Sequence, residues 1–264
     1  VGVRWDRFAM RVTDRRTRAE LHRTDANVSP RAGLVFKPVP AVSLYSSYGT
    51  SYLPSAGDQF SSLTATTATL APERFVNREI GAKWEVRPAL LMDAAVYQLD
   101  RTNTSAPDPV SPGKLVQTGR QRSAGIELQV SGFVTDAWQV MAGFTSQQAT
   151  IRSRTSAAKL GATVPLVPHA TLSAWNRVQV ARSLGVGLGV VQQGRSYAAI
   201  NNTVTLPAFT RFDGALYVGM GRFGHAQVNV ENVLNRRYTA TSHGNDNILP
   251  GAPRTVLISV TATP

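Results

Sequence analysis

Apolar and polar residues alternate with a period of two along most of this 264-residue chain, and no stretch sustains the three-and-four spacing of an amphipathic helix. In Ala124-Gly125-Ile126-Glu127-Leu128-Gln129-Val130-Ser131, the residues Ala124, Ile126, Leu128 and Val130 share one face. Gly125, Glu127, Gln129 and Ser131 share the other, the pattern of a strand with an oily side and a wet side. Residues 80–85, 138–144 and 226–231 repeat it. Tight, turn-forming connections fall near 38–41, 86–89, 133–137, 181–185 and 221–224. Long polar connections fall near 11–27, 51–74, 103–115, 152–168, 196–207 and 236–253. The two kinds alternate strictly, and the short turns recur about every 40 to 50 residues, a hairpin-plus-loop repeat.

A meander of this kind puts short turns at one rim and long loops at the other, as bacterial outer-membrane barrels do. The pattern therefore predicts an all-β fold, an antiparallel transmembrane up-and-down β-barrel of about 12 strands. The first strand is expected near residues 2–10 and the last near 254–262, both ends lying at the short-turn, periplasmic rim. A soluble two-sheet sandwich also has many short strands. Its connections would not sort into short and long, however, and its second face would meet another sheet. Here that face carries Glu79, Lys83, Glu85, Glu127, Gln129 and Glu231, which need the water that a wide lumen supplies. Trp5, Trp84, Trp138, Tyr97 and Tyr217 lie near predicted strand ends and are expected in the interfacial aromatic girdles.

Composition narrows the function classes. The longest apolar runs, such as 89–95, fall far short of the ~20 residues a membrane helix needs. No cysteine is present, so neither a disulfide framework nor a thiolate metal site is available. The start Val1-Gly2-Val3-Arg4-Trp5 shows no basic segment followed by an apolar run, so for an exported protein the start of the precursor is expected upstream. The net charge is +12, nearly all from arginine. Nucleic acid is the first partner such a balance suggests. The arginines are dispersed, however, with no basic helix, finger or aromatic RNA-binding segment. Arginine on barrel loops instead pairs with lipid phosphates or draws an anionic ligand into a funnel.

Catalysis finds little support. An outer-membrane hydrolase would need a Ser–His pair with an orienting group. His22 and His243 fall in predicted turns or loops, His169 and His225 near strand starts, and none sits in a G-x-S-x-G signature. The histidines are isolated from one another and from carboxylate clusters, so no metal site is expected. Gly185-Val186-Gly187-Leu188-Gly189 lies inside an alternating strand and runs into Val190-Val191-Gln192 without a helix, unlike a dinucleotide fingerprint. Glycines facing a crowded lumen or a tilted neighbouring strand account for it. Neither enzymatic activity nor a cofactor is expected.

Four segments carry a resemblance. Ala226-Gln227-Val228-Asn229-Val230-Glu231-Asn232-Val233-Leu234-Asn235-Arg236-Arg237-Tyr238 resembles the penultimate-strand motif of TonB-dependent receptors, N-x-x-N-L-F-[DN]-[KR]-x-Y, with Val233 and Leu234 where Leu and Phe are usual. The segment from Leu70 through Pro72, Glu73, Glu79, Gly81 and Lys83 to Trp84 resembles the family's L-x-P-E-x-x-x-x-x-E-x-G-x-K stretch. Ser29-Pro30-Arg31-Ala32-Gly33-Leu34-Val35-Phe36-Lys37-Pro38 with Leu44-Tyr45-Ser46-Ser47-Tyr48 is similar to another family hairpin, and Pro250-Gly251-Ala252-Pro253-Arg254 to the lead into the closing strand. All four occur in the family's order. Within the family, Tyr52-Leu53-Pro54-Ser55-Ala56-Gly57-Asp58-Gln59-Phe60 and Tyr97-Gln98-Leu99-Asp100-Arg101-Thr102-Asn103 look most like receptors for ferric catecholate siderophores.

The resemblance implies a C-terminal portion, residues 1–264, of a plugged 22-stranded barrel, with plug domain and N-terminal barrel strands absent from this stretch. The ending Thr261-Ala262-Thr263-Pro264 departs from the usual terminal aromatic, and proline cannot donate to a strand ladder. The implied function is TonB-dependent uptake of a ferric siderophore across the bacterial outer membrane. The expected partners are the siderophore, outer-membrane lipid and lipopolysaccharide, and the TonB complex acting through the plug. Ferric tris-catecholate is a bulky polyanion with aromatic faces, which calls for arginine, aromatic and amide side chains on loops and upper lumen. The candidates are Arg101, Arg120, Arg122, Arg152, Arg154, Arg195 and Tyr197. The family-motif positions are Pro72, Glu73, Glu79, Gly81, Lys83, Asn229, Asn232 and Tyr238. The alternative is a stand-alone outer-membrane pore or structural barrel.

Overall fold

A computed structural model of the chain describes residues 1–13, 15, 18–54, 71–107, 110, 115–154 and 158–262. Its strands, in chain order, begin with β1 Gly2–Thr13, β2 Glu20–Val39, β3 Val42–Leu53, β4 Glu73–Arg87 and β5 Leu90–Pro107. They continue with β6 Leu115–Thr135, β7 Trp138–Ile151, β8 Ala170–Ala181 and β9 Leu184–Gln193. The remainder are β10 Ser196–Tyr197, β11 Thr205–Leu206, β12 Phe209–Gly219, β13 Gly224–Glu231, β14 Thr239–Ser242, β15 Ile248–Pro250 and β16 Thr255–Ala262. The main sheet has 12 strands in the order β1-β2-β3-β4-β5-β6-β7-β8-β9-β12-β13-β16, every neighbour antiparallel. The expected strand number and meander hold. No helix among the described residues is long and apolar enough to cross a membrane.

The register carries one side-chain face across the whole sheet. Leu44 pairs with Ala82, Ile80 with Val96, Val96 with Ile126, and Leu128 with Phe144. Phe144 then pairs with Leu172, Val190 with Phe212, Leu216 with Val228, and Val228 with Ile258. Because directly opposed residues point the same way, these form one continuous apolar face. It is left bare: Ile80 is 68% exposed, Leu188 65% and Ile258 66%. A bare apolar face spanning twelve strands would be an aggregation hazard in water, and lipid is its natural cover. Trp84 and Trp138 stand on this face beside the short turns, as expected of a girdle, and Trp138 Nε1 donates to Asn176 Oδ1 at 3.1 Å. Tyr97 and Tyr217 do not. They alternate onto the opposite, polar face, where Tyr97 bonds Gln147 and Tyr217 lies under Arg177, so the girdle expectation fails for both. Proximity to a strand end does not fix the face; parity does.

Two expected loops are in part strand. β1 and β2 stay paired to Thr13↔Glu20, so most of 11–27 is ladder and His22 sits in β2 rather than in a loop. β5 and β6 stay paired to Pro107↔Leu115, through irregularities at Thr102/Thr104 and Thr104/Ser105. The physical reason is that a strand needs only about 9–11 residues to cross a bilayer, whereas β2 has 20 and β6 has 21. Past the lipid both faces are wet, so alternation disappears while backbone pairing continues. Conversely, the connections 196–207 and 236–253 contain the small hairpins β10–β11 and β14–β15. The stretches 55–70, 111–114 and 263–264, which include Leu70, Ser55–Phe60 of the catecholate-like segment and Pro264, lie outside the described residues.

The polar face is packed by aromatics lying on glycine. A Cβ on Gly81 would sit 2.6 Å from the Tyr45 ring, and one on Gly187 or Gly189 would sit 2.5 Å from the Trp175 ring. The glycine-rich run in β9 thus makes room for a tryptophan of the neighbouring strand. Replacing Gly81 by valine in the native protein should destabilise it by about 1–3 kcal/mol through overpacking. The Tyr45→Ala background should remove most of that cost. Urea midpoints in detergent micelles measure both, and equal penalties in the two backgrounds would show that the ring contact is not the cause.

Candidate ligand-binding face and loop crown

Side chains on the polar face hold one another in place along β3 to β7. Tyr45 lies across Gly81 and donates its hydroxyl to Glu79 Oε1 at 2.5 Å. This pairing explains why glutamate and glycine stand two apart in the β4 motif. Lys83 approaches Asp93 at 3.7 Å. Farther toward the loops, Arg101 Nη2 meets Glu73 Oε1 at 2.6 Å, and its guanidinium lies 5.1 Å from the centre of the Phe75 ring. Asn103, at φ 61°, donates to the Pro72 carbonyl at 3.0 Å. Tyr97 reaches over the Gly125 position, donating to Gln147 Oε1 at 2.7 Å. A cleft of about 500 Å³ opens here, lined by Arg31, Phe75, Asn77, Glu79, Tyr97 and Glu127 among others. It offers aromatic, amide and charged groups of both signs.

Three of the long connections, those following β7, β9 and β13, are tied into one crown. Ala149 and Ile151, at the end of β7, share the polar face with Gln147. They bury Ala158, Val164 and Ile200 against themselves, with Ile151 and Ile200 0% and 1% exposed. The segment after β7 folds back on its edge, Ile151 N–H donating to Ala162 and Val164 N–H to Ala149. Asn202, in the left-handed region at φ 57°, binds both backbone groups of Thr163 through its amide. Ser242 Oγ donates to the Ala198 carbonyl, and Asn245 to Asn201 and Thr203, so the segment near β14 joins the same cluster. Hydrophobic burial of this kind fixes loop positions that solvated chain alone would not.

The second motif turns out to be a buried turn anchor. Asn232 is 1% exposed and sits at φ 51° where β13 ends. Its Nδ2 donates to the carbonyls of Arg236 and Ala252 at 2.9 and 3.0 Å, and its Oδ1 accepts from Arg236 N at 2.9 Å. Its own N–H donates to Asp213 Oδ1 at 2.8 Å. Asn229 accepts from Gln227 at 2.7 Å on the polar face. Tyr238 packs on Phe209 with ring centres 4.5 Å apart, receives a bond from Arg211 at 3.3 Å, and lies where a Cβ on Gly251 would fall. These residues shape the entry to the last long connection.

The seven sequence candidates fall in three places. Arg101 stands on the polar face beside Phe75. Tyr197 lies half-buried in β10 with exposed Arg195 just before it, and Arg154 is exposed after β7. Arg120, Arg122 and Arg152 share the parity of Ala124 and Ile126, so they lie on the extension of the apolar face, beyond its band. That placement was readable from spacing alone, since 120 and 122 are in step with 124, 126 and 128. Asp100, Arg78 and Arg74, which join them, were missed for want of the cross-strand register. Among the described residues no cluster of His, Asp or Glu could hold a metal.

Comparison with known proteins bears on this arrangement. Residues 1–235 match the family described as TonB dependent receptor-like, beta-barrel. BfrD of Bordetella pertussis, named a probable TonB-dependent receptor, is 30% identical over 98% of this chain and 37% of its own length. The catecholate siderophore receptor Fiu of Escherichia coli K12 is 30% identical over 87% of this chain and 32% of its own. The crystal structure of the siderophore receptor PiuA from Acinetobacter baumannii superposes with a TM-score of 0.84 at 26% identity, covering 98% of this chain and 39% of that one. The chain thus spans about a third of the length of the relatives it matches.

Asn232→Ala in the native protein should cost about 2–4 kcal/mol, from lost buried hydrogen bonds and a left-handed residue with a Cβ but no local bond. Asn232→Gly, which keeps the backbone conformation without strain, should cost about 1 kcal/mol less. Trypsin should cut earlier at Arg236 or Arg237 in both; wild-type cleavage rates would refute the anchor. Ile200→Ala should loosen the crown by about 2–4 kcal/mol, read as faster hydrogen exchange at residues 158–164 with the strands of the sheet unchanged.

Proposed function

The chain belongs to the TonB-dependent receptor β-barrel family of the bacterial outer membrane, and we propose on that premise that it is the C-terminal barrel portion of a receptor importing ferric siderophores. The observation that carries this reading is the two-faced sheet, with lipid-ready side chains on one side and aromatic, amide and ionised groups on the other. β1 and β16 are each paired on one side only among the described residues. Free edges of this kind favour continuation into a larger barrel, because unpaired strand edges are untenable in hydrocarbon. No bond of the cargo is made or broken. The work is recognition at the long-loop rim followed by translocation driven by TonB through a plug domain.

A ferric tris-catecholate is the ligand class this face suits best. Arg101, ion-paired to Glu73, lies against the Phe75 ring, so it presents guanidinium donors together with a stacking surface. Arg154, Arg195 and Tyr197 stand at the crown, where a polyanion arriving from outside is met first. The relatedness to Fiu, a catecholate receptor, supports the same class. Arg120, Arg122 and Arg152 fall outside this proposed site, because alternate side chains of a strand cannot reach the same face.

In the full-length receptor, ferric catecholate should quench tryptophan fluorescence with higher affinity than a ferric hydroxamate. Arg101→Gln combined with Arg195→Gln should weaken the catecholate response about tenfold, a loss typical of one or two charge-assisted contacts. Arg120→Gln should leave it unchanged. Equal affinity for the two chelate classes would remove the catecholate assignment, and an unaltered response in the double variant would remove these residues from the site.

A further inference from the structure

Arginine collects on the side of the sheet where a ligand in the lumen cannot reach it. On the apolar face the band in β4, β5 and β6 ends at Ile80, Val96 and Ile126, which are paired across the strands. Continuing in the same parity toward the loops, β4 presents Arg78 and Arg74, and β6 presents Arg122 and Arg120. Arg152 follows β7, its N–H bonded to the Arg120 carbonyl at 2.8 Å. Arg78 stands only two residues past Ile80, about 7 Å along the strand. The group therefore begins where hydrocarbon gives way to headgroups.

Its charge is not internally balanced. Asp100 is the carboxylate in the cluster, bound by Arg78 Nη1 at 2.9 Å and Arg122 Nε at 2.6 Å, with Gln98 adding a bond at 2.8 Å. It clamps two guanidinium groups from strands on either side of β5. Arg74, Arg120 and Arg152 are exposed and have no carboxylate partner among the described residues. Together they line a cleft of about 400 Å³ with Thr102, Gln121 and Arg101. Elsewhere the described arginine–carboxylate pairs Arg4–Asp6, Arg23–Asp25, Arg101–Glu73 and Arg211–Asp213 lie on the polar face, each cation matched to its own anion. An excess of planar donors on the lipid-facing side has one complementary chemistry at that depth, a phosphate carried on a membrane lipid. Guanidinium groups bind phosphate oxygens two at a time, while their methylene stems lie along the apolar surface below.

We propose that Arg74, Arg78, Arg120, Arg122 and Arg152 form a binding site for the phosphorylated saccharide headgroup of an outer-leaflet lipid, lipopolysaccharide. The acyl chains lie on the apolar band of β4 to β7 beneath it. Asp100 is a positioning residue that holds Arg78 and Arg122 open toward the headgroup. The proposal rests on the outer-membrane reading, and insertion of the receptor, scored by heat-dependent migration on gels, tests that reading separately.

The full-length receptor is purified into phosphatidylcholine nanodiscs containing either diphosphoryl lipid A or its dephosphorylated form, and bound lipid is counted by native mass spectrometry. Wild type should retain the diphosphoryl form about tenfold more than the dephosphorylated one. Arg74→Gln/Arg120→Gln/Arg152→Gln should lose that preference, whereas Arg177→Gln, on the polar face, should keep it. Equal retention of the two lipids by wild type overturns the proposal, and this comparison decides even should the triple variant fail to insert. Undiminished preference in an inserted triple variant also overturns it. Displacement of the lipid by millimolar inorganic phosphate would show a site for free anion and likewise sink the lipid assignment.

Discussion

Within hydrocarbon every backbone N–H and C=O must find its partner in the protein, and the twelve-strand ladder is this chain's answer to that demand. Everything else in the structure is arranged around the ladder. Once neighbouring strands are hydrogen-bonded in register, side chains are sorted onto two faces with no freedom to choose. Leu44, Ile80, Val96, Leu128, Phe144, Leu188, Phe212 and Ile258 fall together on the same side. The opposite side collects Glu79, Glu127, Tyr45, Tyr97 and Gln147. The bare apolar face and the wet face are thus two consequences of one pairing scheme.

The wet face cannot rely on hydrophobic burial for order, so it uses shape and charge. Rings lie on glycine, Tyr45 on Gly81 and Trp175 across Gly187 and Gly189, which gives them dispersion contact without a packed core. Ion pairs such as Arg101–Glu73 and Arg211–Asp213 bridge positions on the same face. At the loop rim the chain buries a small apolar cluster, around Ile151 and Ile200, and there it serves to position loops.

Parity also separates two duties for arginine that charge alone confounds. A guanidinium at Arg101 and one at Arg120 lie at similar height on adjacent strands, yet one stands on the polar face and the other on the extension of the apolar face. The excess positive charge of the chain is therefore not a single electrostatic funnel. Part of it stands on the extension of the apolar face, and part on the polar face, where much of it is already paired.

Fold class, strand number, the rim of each connection and the family were legible in the residues alone. These follow from period-two alternation and from short motifs, both local properties of the chain. The parity of Arg120 and Arg122 was also written there, in step with Ala124 and Ile126. Tertiary structure alone decided where β1, β2, β5 and β6 end, because beyond the lipid both faces are polar and alternation vanishes while the ladder goes on. It decided that Asn232 is a buried turn anchor, since its partners at Asp213, Arg236 and Ala252 meet only after three segments converge. It decided that Arg74 and Arg78 join Arg120 and Arg122 around Asp100, because cross-strand register, unlike strand parity, is set by the pairing of segments distant in the chain.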